Sequence, residues 1–146
     1  GPAARSPVRK PNKWTCPKCG RSFLPRNQMH VCPKLSLSEA LKGRDRRGVA
    51  LLRKLAAMAR RCGPVRMFPQ KTRFALQSTK TFVWARLLRD AIECEILLPR
   101  RIEDNRFRQI LSVSPGSHYH FLRISSAEEL DRKVRTWLRE AARHAR

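Results

Sequence analysis

Phe82-Val-Trp-Ala-Arg-Leu-Leu88 and Ile92-Glu-Cys-Glu-Ile-Leu-Leu98 are two runs rich in Val, Ile, Leu and Phe, separated by three residues. So short a gap has no room for a helix, so the runs predict two consecutive strands. Similar runs lie near 65–68, 73–78, 107–113 and 118–124, with Pro115-Gly116 at the last turn. Closely spaced strands without intervening helices predict an antiparallel β-meander.

Helical patterns precede and follow these runs. Ser36-Leu-Ser-Glu39 is a capping box that opens a short helix ending at Gly43, and Asp45 can cap a second helix over roughly 46–61. Ser126-Ala-Glu-Glu129 is another capping box and predicts the start of the last helix. The chain therefore predicts an α+β domain over 35–146, with the meander packed against N-terminal helices and a C-terminal helix.

The charge of the chain is strongly unbalanced. Its 146 residues include 33 Lys and Arg but 11 Asp and Glu, a formal net charge of +22. Such an excess repels itself in a compact state, which favours a polyanionic partner. The Pro- and Lys/Arg-rich residues 1–13 predict a flexible basic arm, and Gly1-Pro2 is typical of the pair left when a protease removes an affinity tag.

Residues 14–34 predict a zinc knuckle. Cys16 and Cys19 form a Cys-x2-Cys pair, which lets both thiolates reach one metal from a tight turn, and His30 and Cys32 complete the set. Residues two apart cannot share a helix face, so we expect Cys32 to lie just beyond a helical turn that ends at His30. Three thiolates and an imidazole without a carboxylate predict one closed, structural Zn²⁺ site.

Cysteine usage and hydropathy indicate the compartment. The chain has five cysteines, an odd number without a plausible bridge pattern, which favours a reducing compartment. We find no apolar run long enough to span a membrane and no secretory signal pattern. We therefore expect a cytoplasmic or nucleoid-associated protein without a membrane partner.

The second predicted helix carries a repeated basic pattern. Two series recur every seven residues, about two helical turns, and together we call them the basic ridge: Arg46, Arg53 and Arg60, with Arg47, Lys54 and Arg61. A phosphate backbone is the natural partner of such a face, although a merely solvated face is the alternative. We expect further phosphate contacts from cations near the zinc site, namely Lys13, Lys18, Arg21 and Arg26. Trp14 or Phe23 could stack on an unpaired base.

The last predicted helix serves as a comparison. Acids accompany its arginines, namely Glu128, Glu129, Asp131 and Glu140. We interpret them as offsetting those arginines, which predicts a surface that does not bind nucleic acid.

Few residues suggest catalysis. His118 and His120 alternate along one strand, so they point to one face, where a pair of histidines could cleave a phosphodiester as base and acid. Glu93 and Glu95 are expected to pair with basic neighbouring strands, and Cys94 is expected to be buried. The sequence favours a protein that is not an enzyme.

Several short motifs together resemble a bacterial family catalogued as domain of unknown function 5655. They span most of 14–143 and include Trp14-Thr-Cys-Pro-Lys-Cys-Gly-Arg-Ser-Phe23, Asn27-Gln-Met-His30, Gly63-Pro-Val65, Lys71-Thr-Arg73, Leu98-Pro-Arg100, His120-Phe-Leu-Arg-Ile124, Glu129-Leu-Asp131 and Trp137-Leu-Arg-Glu140. The resemblance implies an α+β domain similar to small YdhG-like proteins, sometimes joined to nuclease or restriction modules. It also implies a polar cluster that could hold a phosphate or carboxylate: Lys71, Arg73, Arg100 and His120.

These observations predict a zinc-stabilised, non-enzymatic protein that binds nucleic acid through its phosphate backbone. The family resemblance, which includes nuclease-linked members, slightly favours DNA over RNA. Two alternatives stay open. One is an RNA-binding subunit of a large RNA–protein particle such as a ribosome, because arginine-rich arms and zinc knuckles suit that role equally well. The other is a metal-independent phosphodiesterase that uses His118 and His120.

Overall fold

The computed structural model describes residues 14–15, 22–23 and 36–146. The chain divides into two units, Gly1–Lys34 and Leu35–Arg146. In the first unit, strand β1 (Trp14–Thr15) pairs antiparallel with β2 (Ser22–Phe23), so that Thr15 lies opposite Ser22. The predicted arm over 1–13, all four predicted zinc ligands and the predicted cations around them lie outside the described residues.

The second unit contains six strands, with helices before and after them in the chain. Its elements are α1 (Leu37–Leu41), α2 (Arg46–Arg60), β3 (Arg66–Pro69), β4 (Phe74–Gln77), β5 (Thr81–Leu88), β6 (Ala91–Leu98), β7 (Gln109–Ser114), β8 (Ser117–Ile124) and α3 (Arg132–His144). All six strands pair antiparallel in one sheet, which confirms the predicted α+β class.

The order of the strands corrects the predicted meander. It is β3-β4-β5-β6-β8-β7, so β8 rather than β7 lies beside β6. The connection over 99–108 skips one strand position, and the last hairpin places its outer strand at the edge. The burial of the two strands explains this arrangement, because Leu122 and Ile124 of β8 are buried whereas most of β7 is exposed.

Both edge strands are short or irregular. β3 has four residues and ends at Pro69, which cannot donate a backbone hydrogen bond. In β7 the pairing register shifts between Ser112 and Ser114, which marks a β-bulge. Leu111 and Val113 of this strand are the large hydrophobic side chains that remain exposed in the described part of the chain.

One face of the sheet packs against the helices. α2 and α3 contact each other, and both contact β5 and β6. The core formed there contains these fully buried side chains: Leu52, Leu55, Leu76, Val83, Ile92, Ile96, Leu98, Leu122, Ile124 and Leu138. Directly paired residues share a face, so the row Trp84, Glu95 and Phe121 lies on the opposite side, which we call the open face.

The start of the last helix differs from the prediction. The capping box at Ser126 opens a short 3-10 helix, Ala127–Glu129, rather than α3. Buried Leu130 then departs from helical geometry, with φ −85° and ψ 72°. Asp131 is the N-cap of α3 and accepts a 3.2 Å hydrogen bond from the Val134 N–H.

We expect Gly48→Ala to lower the free energy of unfolding. In an ordinary helix this change raises it by about 1 kcal/mol. Here the added Cβ would lie 3.1 Å from the Leu88 carbonyl oxygen and 3.2 Å from that of Ala91, both backbone atoms at the β5–β6 turn. Urea unfolding measures the effect. Gly116→Ala is the control, since nothing lies within 4 Å of its added Cβ, and a stabilised Gly48→Ala variant would contradict the expectation.

Candidate nucleic-acid interface

The basic ridge lies on the outer side of α2. Asp45 caps this helix by accepting a 2.8 Å hydrogen bond from the Gly48 N–H, and the apolar side of the helix is buried in the core. All six ridge cations are exposed, as the sequence predicts from their spacing. Lys54 contacts the Ala127 carbonyl oxygen at 3.4 Å, and within residues 36–146 none of the six forms an ion pair.

Three of the chain's 11 acids cap backbone groups without forming an ion pair among the described residues. Glu39 accepts from the Ser36 N–H at 3.0 Å, and this backbone hydrogen bond lowers the pKa of its carboxyl. Backbone hydrogen bonds from Gly48 and Asp90 likewise lower the pKa of Asp45. Glu129 accepts from the Ser125 and Ser126 N–H groups at 2.6 and 3.0 Å.

Six further acids pair with cations outside the ridge. The pairs are Glu93–Arg86, Glu95–Arg73, Glu103–Arg101, Asp104–Lys133, Asp131–Arg106 and Glu140–Arg100. Glu93 pairs with Arg86 of the neighbouring strand β5, as predicted, whereas Glu95 pairs with Arg73, which precedes β4 and does not lie on a strand next to β6. Asp90 and Glu128 are the two acids that neither cap a helix nor form an ion pair in the described part of the chain, so little negative charge is left to neutralise the ridge.

The prediction that the acids near the last helix pair with and offset its own arginines is wrong. Asp131 and Glu140 pair with Arg106 and Arg100, which precede the helix by many residues, and Glu129 caps a backbone turn. The arginines of α3 itself are exposed and have no ion pair among the described residues. We call them the arginine stripe: Arg132, Arg135, Arg139 and Arg143. Their spacing of three, four and four residues places them on one helix face and was visible in the sequence.

The ridge and the stripe belong to the same layer. Because α2 and α3 pack side by side with their apolar sides inward, both sets of cations lie on the outer surface of the helices. From Arg46 to Arg60 the ridge is about 21 Å long at 1.5 Å per residue. Two neighbouring helices lie about 8–10 Å apart, so the layer presents two extended rows of positive charge.

The four residues of the anion cluster implied by the family are not brought together. Lys71 is exposed in the β3–β4 loop, and Arg73 pairs with Glu95 at 3.1 Å on the open face. Arg100 instead makes a two-pronged pair with Glu140 of α3, at 2.9 and 3.1 Å. His120 is fully buried on the helix face. The structure therefore gives these residues separate roles.

His120 serves the crossover connection. Its Nε2 accepts a 3.0 Å hydrogen bond from the Ile102 N–H, and its Nδ1 donates to the His118 carbonyl oxygen at 2.9 Å. Its ring packs against the Phe107 ring, with the centroids 4.7 Å apart, and the Phe107 ring packs on that of Trp137 of α3, with the centroids 4.4 Å apart. Burial lowers the pKa of His120 below its usual value, so the neutral form is favoured.

His118 is also engaged at both ring nitrogens. Nε2 lies 2.9 Å from the Pro115 carbonyl oxygen and must donate to it, so Nδ1 accepts from the Ser112 hydroxyl at 2.7 Å. A base and an acid both need a ring nitrogen facing the substrate. The contacts of His118 and His120 leave no such nitrogen.

Of the two described cysteines, Cys94 is unsuited to nucleophilic chemistry. Cys94 is buried, as predicted, and burial raises the pKa of its thiol to about 12. Cys62 is half-buried, and its thiol contacts the Met58 carbonyl oxygen at 3.7 Å. In the described ranges, no three His, Cys, Asp or Glu residues converge to hold a metal ion, and no helix has the length and apolar character to cross a membrane.

Comparison with known proteins gives a family match for the second unit. The sequence model described as "Domain of unknown function (DUF5655)" matches residues 38–143, which covers α2, the whole six-stranded sheet and almost all of α3. No curated protein and no solved structure gives a significant match to the chain.

We expect the stability of the protein to fall as the pH drops below about 6.5. The lowered pKa of His120 means that the unfolded chain takes up a proton before the folded one, so acid favours unfolding. Urea unfolding at pH 7.5, 6.5 and 5.5 measures this slope.

His120→Gln retains a donor and an acceptor but does not titrate, so its stability should depend less steeply on pH over this range. His144→Gln, at an exposed position near the end of α3, is the matched control and should keep the slope of the unchanged protein. Equal slopes for His120→Gln and the unchanged protein would show that burial of His120 has no such effect.

Proposed function

The chain belongs to the family described as Domain of unknown function (DUF5655), and we propose that this member is a non-enzymatic nucleic-acid-binding protein. One observation carries the proposal. Nine of the 11 acids cap backbone groups or pair with other cations, while the ridge and the stripe stay exposed on one surface. Like charges packed along a helix reduce stability unless an anion neutralises them.

A phosphate backbone supplies the required anion. Its charges are closely and regularly spaced, at about one per 1.7 Å of duplex axis, so extended rows of cations can contact several phosphates at once. Each contact releases counterions, which makes binding strongly dependent on salt. Contacts of this kind fix position and affinity but carry little sequence information. We therefore expect weak discrimination between sequences.

The proposed partner is duplex DNA. Two rows of cations on neighbouring helices suit a double helix, whose two backbones border each groove. Structured RNA in a larger nucleoprotein particle is the competing partner, since its helices offer a similar charge pattern. Cleavage is not proposed, because both ring nitrogens of His118 and of His120 already have partners within the fold.

We place one structural Zn²⁺ on Cys16, Cys19, His30 and Cys32. The antiparallel pairing of Thr15 with Ser22 supports this, because it brings together the chain on either side of Cys16 and Cys19. Bound zinc would contribute folding energy to 14–34, a segment too small to fold on hydrophobic burial alone. Thiolate ligands require a reducing compartment, cytoplasmic or nucleoid-associated, and the nearby cations would add phosphate contacts: Lys13, Lys18, Arg21 and Arg26.

Neutralising the ridge should weaken duplex binding. With Arg46, Arg53 and Arg60 all changed to Gln, we expect about a hundredfold higher Kd near 0.15 M salt. The slope of the logarithm of the binding constant against the logarithm of the salt concentration should become shallower by about 0.9 for each phosphate that is no longer neutralised. The same effect is expected when Arg135, Arg139 and Arg143 are changed to Gln. Fluorescence anisotropy with duplex DNA, hairpin RNA and single-stranded DNA across a salt series measures both effects.

A matched control removes equal charge elsewhere. Lys71, Lys80 and Arg108 are exposed in loops of the sheet, and their triple change to Gln should alter the Kd much less. An equal effect for this control would mean that net charge, not the helix layer, determines binding. Absence of binding by the unchanged protein to all three ligands would refute the proposed function, and a clear preference for hairpin RNA would favour the RNA–protein particle.

We expect one zinc ion per chain. Changing Cys16 and Cys19 to Ser should abolish metal binding, because a structural site needs all four ligands. Cys62→Ser is the control and should retain the metal. Elemental analysis after gel filtration gives the ratio, and equal zinc contents in the two variants would argue against this ligand set.

A further inference from the structure

Aromatic side chains gather on the open face of the sheet, away from the ridge and the stripe. Trp84 of β5 and Tyr119 of β8 contact each other across β6, with ring centroids 5.6 Å apart. Phe121 follows two residues later on β8, so its side chain points to the same side. All three are half-buried rather than covered, and every described helix that contacts β5 or β6 does so from the other face.

A cavity of about 230 Å³ lies within this group. Its walls include Trp84 and Phe121, and its floor includes Glu95, which lies between them in register. Neighbouring strands are about 4.8 Å apart, so Trp84 and Phe121 start about 10 Å from each other. Carbon atoms of stacked rings lie about 3.5–4.0 Å apart. One planar group can therefore enter between these side chains or lie on either of them.

The charges around the cavity favour an anionic polymer that carries such rings. Arg73 pairs with Glu95 at 3.1 Å, and Arg86 pairs with Glu93 at 2.6 Å, so both carboxylates are neutralised. Arg123 of β8 is the register partner of Glu93 and is exposed. These three arginines and two glutamates leave the open face with an excess of positive charge.

The polar groups can also recognise the edge of a ring. The Arg73 guanidinium lies over the Trp84 ring, 5.7 Å from its centroid. Burial holds the pKa of the Glu95 carboxyl above its usual range despite Arg73. Arg73 and Arg86 have further N–H groups that can donate to a ring, and the carboxylates of Glu93 and Glu95 can accept from ring N–H groups.

We propose that this cavity binds an unpaired base of single-stranded nucleic acid, stacked on Trp84 and Phe121 with its phosphates near Arg73, Arg86 and Arg123. This inference rests on the proposed function and adds a second binding surface with a different substrate form. Stacking needs a free ring face, which a paired base inside a duplex does not offer. The helix layer would then hold duplex and the open face would hold a neighbouring single strand.

The test uses the full chain and one 15-nucleotide DNA sequence, as a single strand and as a duplex, in fluorescence anisotropy at fixed salt. Trp84→Leu and Phe121→Leu each keep an apolar side chain but lose a stacking surface. Each should raise the Kd for the single strand about tenfold and leave the Kd for the duplex unchanged within about twofold. Circular dichroism confirms the fold, and using two separate variants keeps the test valid if one fails to fold.

Leu111→Ala is the matched control, because this exposed side chain lies on the same face without a ring and should leave both Kd values unchanged. If both Leu variants bind the single strand like the unchanged protein, the stacking site is refuted while the proposed function stands. If neither DNA form binds the unchanged protein, both proposals fail. If the ridge variant binds normally while Trp84→Leu no longer binds the single strand, the open face stands and the helix-layer interface is wrong.

Discussion

This protein has few carboxylates for its number of cations, and where they lie determines which cations on the surface are neutralised. The fold uses them where backbone donors need an acceptor, as Asp45 and Asp131 do at the starts of α2 and α3. It also uses them to tie distant segments together, as Glu140 ties α3 to Arg100. Because these positions serve the fold, the cations on the outer surfaces of both helices have no ion pair within residues 36–146, and an external polyanion is the available source of neutralisation.

The alternation of apolar residues was enough to locate all six strands, and the turn at Pro115-Gly116 paired the last two. It could not place that hairpin in the sheet. The sequence of a strand indicates which residues lie on each of its two faces and which strand it joins through a short turn. Which strand lies on its other side depends on tertiary packing. The contacts of His120 with Ile102 and Phe107 fix the crossover there. A single sequence shows a histidine at this position without showing which backbone group it serves.

The candidate interface was likewise predicted only in part from the sequence. Spacing alone located the ridge, since the burial of one side of α2 follows from its apolar residues. The stripe on α3 was missed because nearby acids were assumed to pair with nearby arginines. Instead, Asp131 pairs with Arg106, 25 residues away in the chain. The aromatic cavity was also missed, because β8, the strand that carries Phe121, was not predicted to lie beside β6.

The β-bulge in β7 has a consequence for the behaviour of the protein at high concentration. An edge strand with unpaired backbone groups and apolar side chains can template pairing with another chain, and Leu111 and Val113 are 47% and 56% exposed there. The bulge at Val113 disturbs the regular ladder that such pairing needs, and Pro69 removes a donor from the opposite edge. The bulge and the proline thereby discourage edge-to-edge aggregation at both ends of the sheet.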